Sequence, residues 1–283
     1  LLFRIEEIEL FNTIIESIKP DALYLFKNIK NIKFMYNRSC ELKDIIQTVK
    51  LFQLNNSSHI DHISLDVSYN HIGSVDSLTF HGLVDLKQLC LNNNRIGGLS
   101  QLAFGGLINL KELYLNFNKI ASIEPSTFTG LVNLQHLSMG RNRLSAINRA
   151  SFEGLLNLKY LSLESNEIET LGPYTFKPLR GLKTLYLNNN QINAADANAF
   201  QGLHDLQILD LSFNKLTSIH ACTFSGLSNL KVLCLESNQI GSLDTSTFNG
   251  LTNLEYLDLR NNKLKTIDPA TYNGLVNLQT LTH

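Results

Sequence analysis

Leu110-Lys111-Glu112-Leu113-Tyr114-Leu115-Asn116-Phe117-Asn118-Lys119-Ile120 is followed by Phe128 and by Gly130-Leu131, and the pattern begins again at Leu134, 24 residues after Leu110. Working outward from it, asparagine recurs every 24 residues at Asn70, Asn94, Asn118, Asn142, Asn166, Asn190, Asn214, Asn238 and Asn262. Ten residues after each stands an aromatic: Phe80, Phe104, Phe128, Phe152, Phe176, Phe200, Phe224, Phe248 and Tyr272. Gly-Leu follows two residues further on, broken once by Pro178-Leu179. Several coordinated columns over nine periods define a repeat protein.

Each column has a physical reason. The L-x-L alternation is a short strand with one face buried. One such strand cannot cover its own apolar face, so copies stack into a parallel sheet over a continuous leucine core. After the strand the chain turns inward, and the recurrent Asn bonds backbone groups that the turn leaves unpaired, also in the next copy. The Phe column makes an apolar spine under the opposite, convex wall. Pro125, Pro173 and Pro269 share a slot outside the strand, where no donor is needed.

The same spacing reaches the N-terminus. Ile5, Ile8 and Leu10 fall 24 before Ile29, Ile32 and Phe34, and Thr13 falls 24 before Asn37. From Asn37 to Asn70 the interval is 33, and inside it Leu42, Ile45, Ile46 and Val49 have helical spacing, so a short amphipathic helix is expected on the convex side. Asn55-Asn56-Ser57-Ser58 reads as a loop. The expected architecture is an α/β solenoid with about twelve concave strands, starting near Ile5, Ile29, His62, Leu86 and every 24 residues thereafter. Residues 1–283 then form one solenoid: diverged repeats over 1–61, regular ones over 62–283, and a last copy cut short at Leu281-Thr282-His283, as in a fragment.

With 43% hydrophobic residues, 17% charged residues and a net charge of −1, the chain has the composition of a folded protein and no electrostatic case for nucleic acid or an anionic membrane. No apolar run is long enough to span a bilayer. Cys40, Cys90, Cys222 and Cys234 have no paired spacing, so neither a disulfide framework nor a zinc site is expected.

The columns together, L-x-x-L-x-L-x-x-N-x-I-x-x-I-x-x-x-x-F-x-G-L-x-N, resemble the typical 24-residue class of leucine-rich repeats. That class includes Slit, Toll-like receptors, small proteoglycans such as decorin, and the repeat segment of peroxidasin. The resemblance implies a horseshoe that binds protein, sometimes glycan or lipid-bearing ligands, outside the cell. The cysteine-rich caps of many extracellular members have no counterpart here.

If the strand leucines point inward, the residues between them face the concave surface. Tyr114, His136, Tyr160, Tyr186, Ile208, Val232 and Tyr256 form an aromatic and aliphatic strip there, expected to bind a protein ligand. Each residue singly is also what a strand prefers, and the case rests on the strip. Phe117 and Phe213 are expected to pack on the neighbouring turn, and Lys119, Arg143, Lys215 and Lys263 to edge a solvated rim. Cys90 and Cys234 share a concave column six repeats apart, roughly 29 Å, too far for a disulfide. His59 and His62, and His220 with Cys222, read as structural. Asn37, Asn55 and Asn56 head N-x-S/T triplets and are glycosylation candidates. No phosphate loop, dinucleotide fingerprint or zinc-protease motif occurs, and no catalytic site, metal or cofactor is expected.

The leading function is recognition of a protein, with glycan as a further ligand, at the cell surface or in a secreted or matrix protein. Unpaired cysteines favour the alternative of a cytoplasmic scaffold or adaptor. A third reading is the binding array of a larger enzyme.

Overall fold

The computed structural model describes residues 5–12, 29–37, 42–56 and 63–283. Twelve parallel strands line up in chain order in one sheet, the concave wall of a leucine-rich repeat horseshoe. They are β1 (Glu7–Phe11), β2 (Asn31–Met35), β3 (Ile63–Asp66), β4 (Leu86–Cys90), β5 (Glu112–Tyr114) and β6 (His136–Ser138). There follow β7 (Tyr160–Ser162), β8 (Thr184–Tyr186), β9 (Ile208–Asp210), β10 (Val232–Cys234), β11 (Tyr256–Asp258) and β12 (Thr280–Thr282). The regular strands are shorter than the sequence pattern suggests. Leu110, for instance, precedes β5, and its amide is bonded back to the Leu107 carbonyl at 3.1 Å.

The register keeps every repeat in phase: Leu113 pairs with Leu137, Leu137 with Leu161, and Leu161 with Leu185. A one-residue slip would turn each leucine out of the core, so the repeated sequence and the repeated pairing enforce each other. The pairing of β2 with β3 matches Ile32 to Leu65, and the helix α1 (Leu42–Asn56) takes up the longer interval. Ile45, Ile46 and Val49 on α1 are buried in the common core. α1 ends at Asn56, so Asn55 and Asn56 belong to the helix and not to the expected loop. Ser57 and Ser58, like the His59–His62 pair and Cys40, lie outside the described residues.

Opposite the sheet, Phe80, Phe104, Phe128, Phe152, Phe176, Phe200, Phe224 and Phe248 are all at most 1% exposed. Their rings stack in two runs, Phe80 to Phe128 and Phe152 to Phe248, with centroids 5.9 Å apart from Phe80 to Phe104 and 5.8 Å from Phe176 to Phe200. Short 3-10 turns complete the convex wall at Arg149–Phe152, capped by the Asn148 side chain, and at Pro269–Tyr272, where Pro269 takes a first-turn position that needs no amide donor.

Asn166 shows what the Asn column does. Its Nδ2 donates to the carbonyls of Leu163 in its own turn and Met139 in the preceding repeat, each at 3.0 Å, while its Oδ1 accepts from the Leu144 amide at 3.0 Å. The same bonds recur at Asn94, Asn118, Asn142, Asn190, Asn214, Asn238 and Asn262. Asn70 donates to Phe34 O at 2.6 Å and accepts from the Asn37 amide at 2.7 Å, which carries the ladder across α1. Asn37 is itself a rung. It is 1% exposed, and its Nδ2 donates to Leu10 O at 2.6 Å and Met35 O at 3.2 Å. A glycan on that nitrogen is incompatible with the fold, so Asn37 is corrected from a glycosylation candidate to a structural residue.

Candidate binding face

Because leucines at the middle of each strand fill the core, their neighbours on β5 to β11 face the concave side, most of them half-buried and Ser138, Ser162 and Asp258 buried. Four of the expected residues touch in series. The Tyr114 and His136 rings lie 4.9 Å apart at 44°, His136 and Tyr160 stack at 4.1 Å and 6°, and Tyr160 and Tyr186 meet at 5.6 Å and 57°. These distances suit stacked and tilted aromatic pairs, so the rings hold one another in place before any ligand arrives. Ile208 on β9, Val232 on β10 and Tyr256 on β11 continue the surface without joining the ring series.

A polar chain anchors the near end of this series. Ser64 Oγ donates to Gln88 Oε1 at 2.9 Å, Gln88 Nε2 donates to Glu112 Oε2 at 2.6 Å, and the Tyr114 hydroxyl donates to the same Glu112 oxygen at 2.9 Å. Burial, then the Glu112 bond, pushes the Tyr114 hydroxyl up to about 12, so it stays a donor. Burial lowers the His136 pKa against a weaker upward pull from Glu112, and the ring is neutral at pH 7.

The far end is charged. Asp258 is 2% exposed, and Arg260 grips it through Nε to Oδ1 at 3.0 Å and Nη2 to Oδ2 at 2.6 Å. Burial would raise the Asp258 carboxyl, but the Arg260 bonds prevail and bring it down to about 2. Cys234 lies in register with Asp210 and Asp258. Burial first and these carboxylates second push its thiol up to about 12; Cys90, similarly placed beside Asp66, rises to about 11. Both thiols are half-buried, and their raised pKa disfavours the thiolate. Cys222 is exposed.

Two features escaped the sequence reading. The residue before each Asn adopts left-handed backbone, with φ near +55°, even where it is bulky: Tyr36, Tyr69, Phe117, Arg141 and Phe213. Asn and Ser fill this slot elsewhere and tolerate it better. The amide so turned bonds to the next repeat, Phe117 N to Gly140 O at 3.0 Å and Phe213 N to Glu236 O at 2.9 Å. The side chains therefore point outward. Phe117 and Phe213 are each 49% exposed, and Phe117 carries the Arg141 guanidinium 5.1 Å above its ring.

The second feature is a lateral Asn ladder. Asn109, Asn133, Asn157, Asn229, Asn253 and Asn277 donate from Nδ2 to Val84 O, Ile108 O, Val132 O, His204 O, Ser228 O and Thr252 O at 2.7–3.0 Å. The signal was the G-L-x-N column itself. Gly181 and Asp205 interrupt it.

Lys119, Arg143, Lys215 and Lys263 are exposed along the rim. Among the described residues no group of His, Cys, Asp and Glu could hold a metal ion, and no helix is long and apolar enough to cross a membrane.

A repeated leucine core, a buried Asn ladder and a variable concave surface define a leucine-rich repeat array. The chain belongs to that family: the family described as Leucine rich repeat matches residues 63–120, 86–144, 108–168, 137–192, 180–240 and 228–282. No curated protein matches it. Among solved structures it is similar to TLR13 in its complex with ssRNA13, at 23% identity and TM-score 0.70, over 97% of this chain and 50% of that one. Another is Drosophila Toll in complex with Spatzle, in glycosylated form, at 22% identity and TM-score 0.71, over 93% of this chain and 37% of that one. The chain thus spans half or less of the length of these chains, and at such identities the likeness is one of fold.

Proposed function

We propose that the chain is a protein-recognition module whose binding surface is the concave face, centred on Tyr114, His136, Tyr160 and Tyr186. The observation that carries this reading is the unbroken ring series across four adjacent strands, on a face where structure alone requires no aromatics. Tyrosine buries much area at little rotamer cost, and partly ordered rings lower the entropy lost on binding. The Toll structure contains a bound protein, Spatzle, on a similar fold. On that reading the array works at the cell surface or outside the cell, with Cys90 and Cys234 half-buried on the concave face.

Nucleic acid is the second reading, because the TLR13 structure contains ssRNA. On this chain the concave face carries Glu112, Glu164, Asp210, Glu236 and Asp258, which disfavour a polyanion.

The test is a partner recovered by a cell-surface proximity screen, with affinity measured for the native chain and for Tyr160→Ala, Tyr186→Ala. Affinity should fall about thirtyfold, roughly 2 kcal/mol, while the denaturant midpoint holds. Unchanged affinity removes the ring series from the site, and tight binding of single-stranded RNA that depends on the same tyrosines transfers it to nucleic acid.

A further inference from the structure

Away from the concave face, an open cleft of about 500 Å³ lies between two repeats, lined by Tyr174, Lys177 and Arg180 on one and Gln201, Gly202 and His204 on the next. Lys159 joins the same neighbourhood: its ammonium occupies the space beside Gly181 that a Cβ would fill, 2.8 Å from that position. Among the described residues none of Lys159, Lys177, Arg180 and His204 forms an ion pair. Glu153, which precedes Lys177 in the repeat column, and Asp205, next to His204, pair with none of them either. Lys177 and Arg180 line the cleft without an acidic partner, with the His204 imidazole in the same lining and the Lys159 ammonium close by Gly181.

The repeat departs from its own pattern at this place. Pro178 replaces the glycine of the G-L pair, and Gly181 replaces the lateral asparagine. The lateral ladder therefore has no bond between Asn157 with Val132 and Asn229 with His204. A side chain at position 181 would meet the Lys159 ammonium and make it shift.

We infer that this cleft binds a sulfated saccharide, the sulfate ester held by Lys177, Arg180 and His204. Arginine and lysine together suit a tetrahedral oxyanion, the guanidinium by a planar fork and the ammonium as a point charge. The Gln201 amide and Tyr174 hydroxyl add neutral partners for sugar hydroxyls, and the cleft has room for a sugar unit as well as its sulfate. The Lys177 ammonium lies 5.0 Å from the Tyr174 ring centroid, which places the charge at the aromatic wall of the cleft. A nucleic-acid strand wants a charged groove that tracks its backbone, whereas these cations converge on one cleft.

The experiment measures binding of the intact chain to a heparin-type octasaccharide, its desulfated form, inorganic sulfate, inorganic phosphate and a single-stranded RNA of matched charge, across salt concentrations. The sulfated octasaccharide should bind best. Lys177→Ala, Arg180→Ala should lower its affinity about tenfold or more, while Lys119→Ala, Arg143→Ala, an equal loss of charge on the rim, leaves it within about twofold. Gly181→Asn, which removes no charge but takes the place of Lys159, should weaken binding without lowering the melting temperature. The inference is overturned by equal loss in the two double variants, by equal binding of the desulfated chain, by inorganic sulfate or phosphate binding as tightly as the octasaccharide, or by RNA binding with the same dependence on Lys177 and Arg180.

Discussion

Asn166 and Glu167 sit side by side on one turn, and the fold asks opposite things of them. Asn166 is 5% exposed and joins three backbone segments, whereas Glu167 faces solvent. Asn166→Leu leaves the buried Leu144 amide unpaired and strips one of two donors from each of the Leu163 and Met139 carbonyls, and should cost roughly 1–3 kcal/mol. Glu167→Ala should stay within about 0.5 kcal/mol. Denaturant midpoints for the two variants decide it, and equal shifts would refute the ladder. His136 offers a test of another kind. Burial lowers its pKa below the ordinary histidine value, so its contribution to stability is present above about pH 6.5 and is lost as pH falls through the lower folded value. Between pH 7 and pH 5 the native chain should therefore lose stability more steeply than His136→Gln. A shallower loss would mean that the attraction of Glu112 outweighs burial.

At the scale of elements, the regular repeats were legible because the inward strand positions are leucine in nearly every copy and the 24-residue period never slips among them. α1 was legible from the spacing of Leu42, Ile45, Ile46 and Val49, though its end was not, since Asn55 and Asn56 are poor helix formers retained in its last turn. Asn37 was misread for a different reason. Its N-x-S triplet is a local signal, whereas its burial follows from strands far away in sequence. The left-handed slot was invisible because Tyr, Phe and Arg there have no intrinsic preference for it, and only the amide bond to the next repeat holds it. On the reading of an extracellular protein, material secreted from animal cells should lose mass on deglycosylation. That loss should vanish in Asn55→Gln, Asn56→Gln and should not depend on Asn37. Intact-mass measurement distinguishes the sites, and a shift that follows Asn37→Gln alone would contradict the buried rung.

For the whole molecule, stability is close to a sum over neighbouring repeats, so the weakest junction sets where the array opens. The leucine core, the Phe stack and the buried Asn ladder run through the repeats around residues 157–205 without interruption. The lateral ladder does not, because Gly181 and Asp205 lack the amide that Asn157 and Asn229 use. By the geometry of the other rungs, an asparagine at 181 would donate to the Leu156 carbonyl, and one at 205 to the Arg180 carbonyl. Each new bond is exposed and worth about 0.5–1.5 kcal/mol, and the two sites share the repeat between them. Gly181→Asn also reduces the freedom of the unfolded chain, which adds to the gain where the backbone accepts a side chain. Gly181→Asn, Asp205→Asn should therefore raise the denaturant midpoint, and amide exchange should slow most in residues 172–205. Exchange that slows evenly along the chain would place the weak junction elsewhere. Unchanged stability with unchanged exchange would show that the gap in the lateral ladder costs the fold nothing, leaving its position beside the basic cleft as its remaining physical significance.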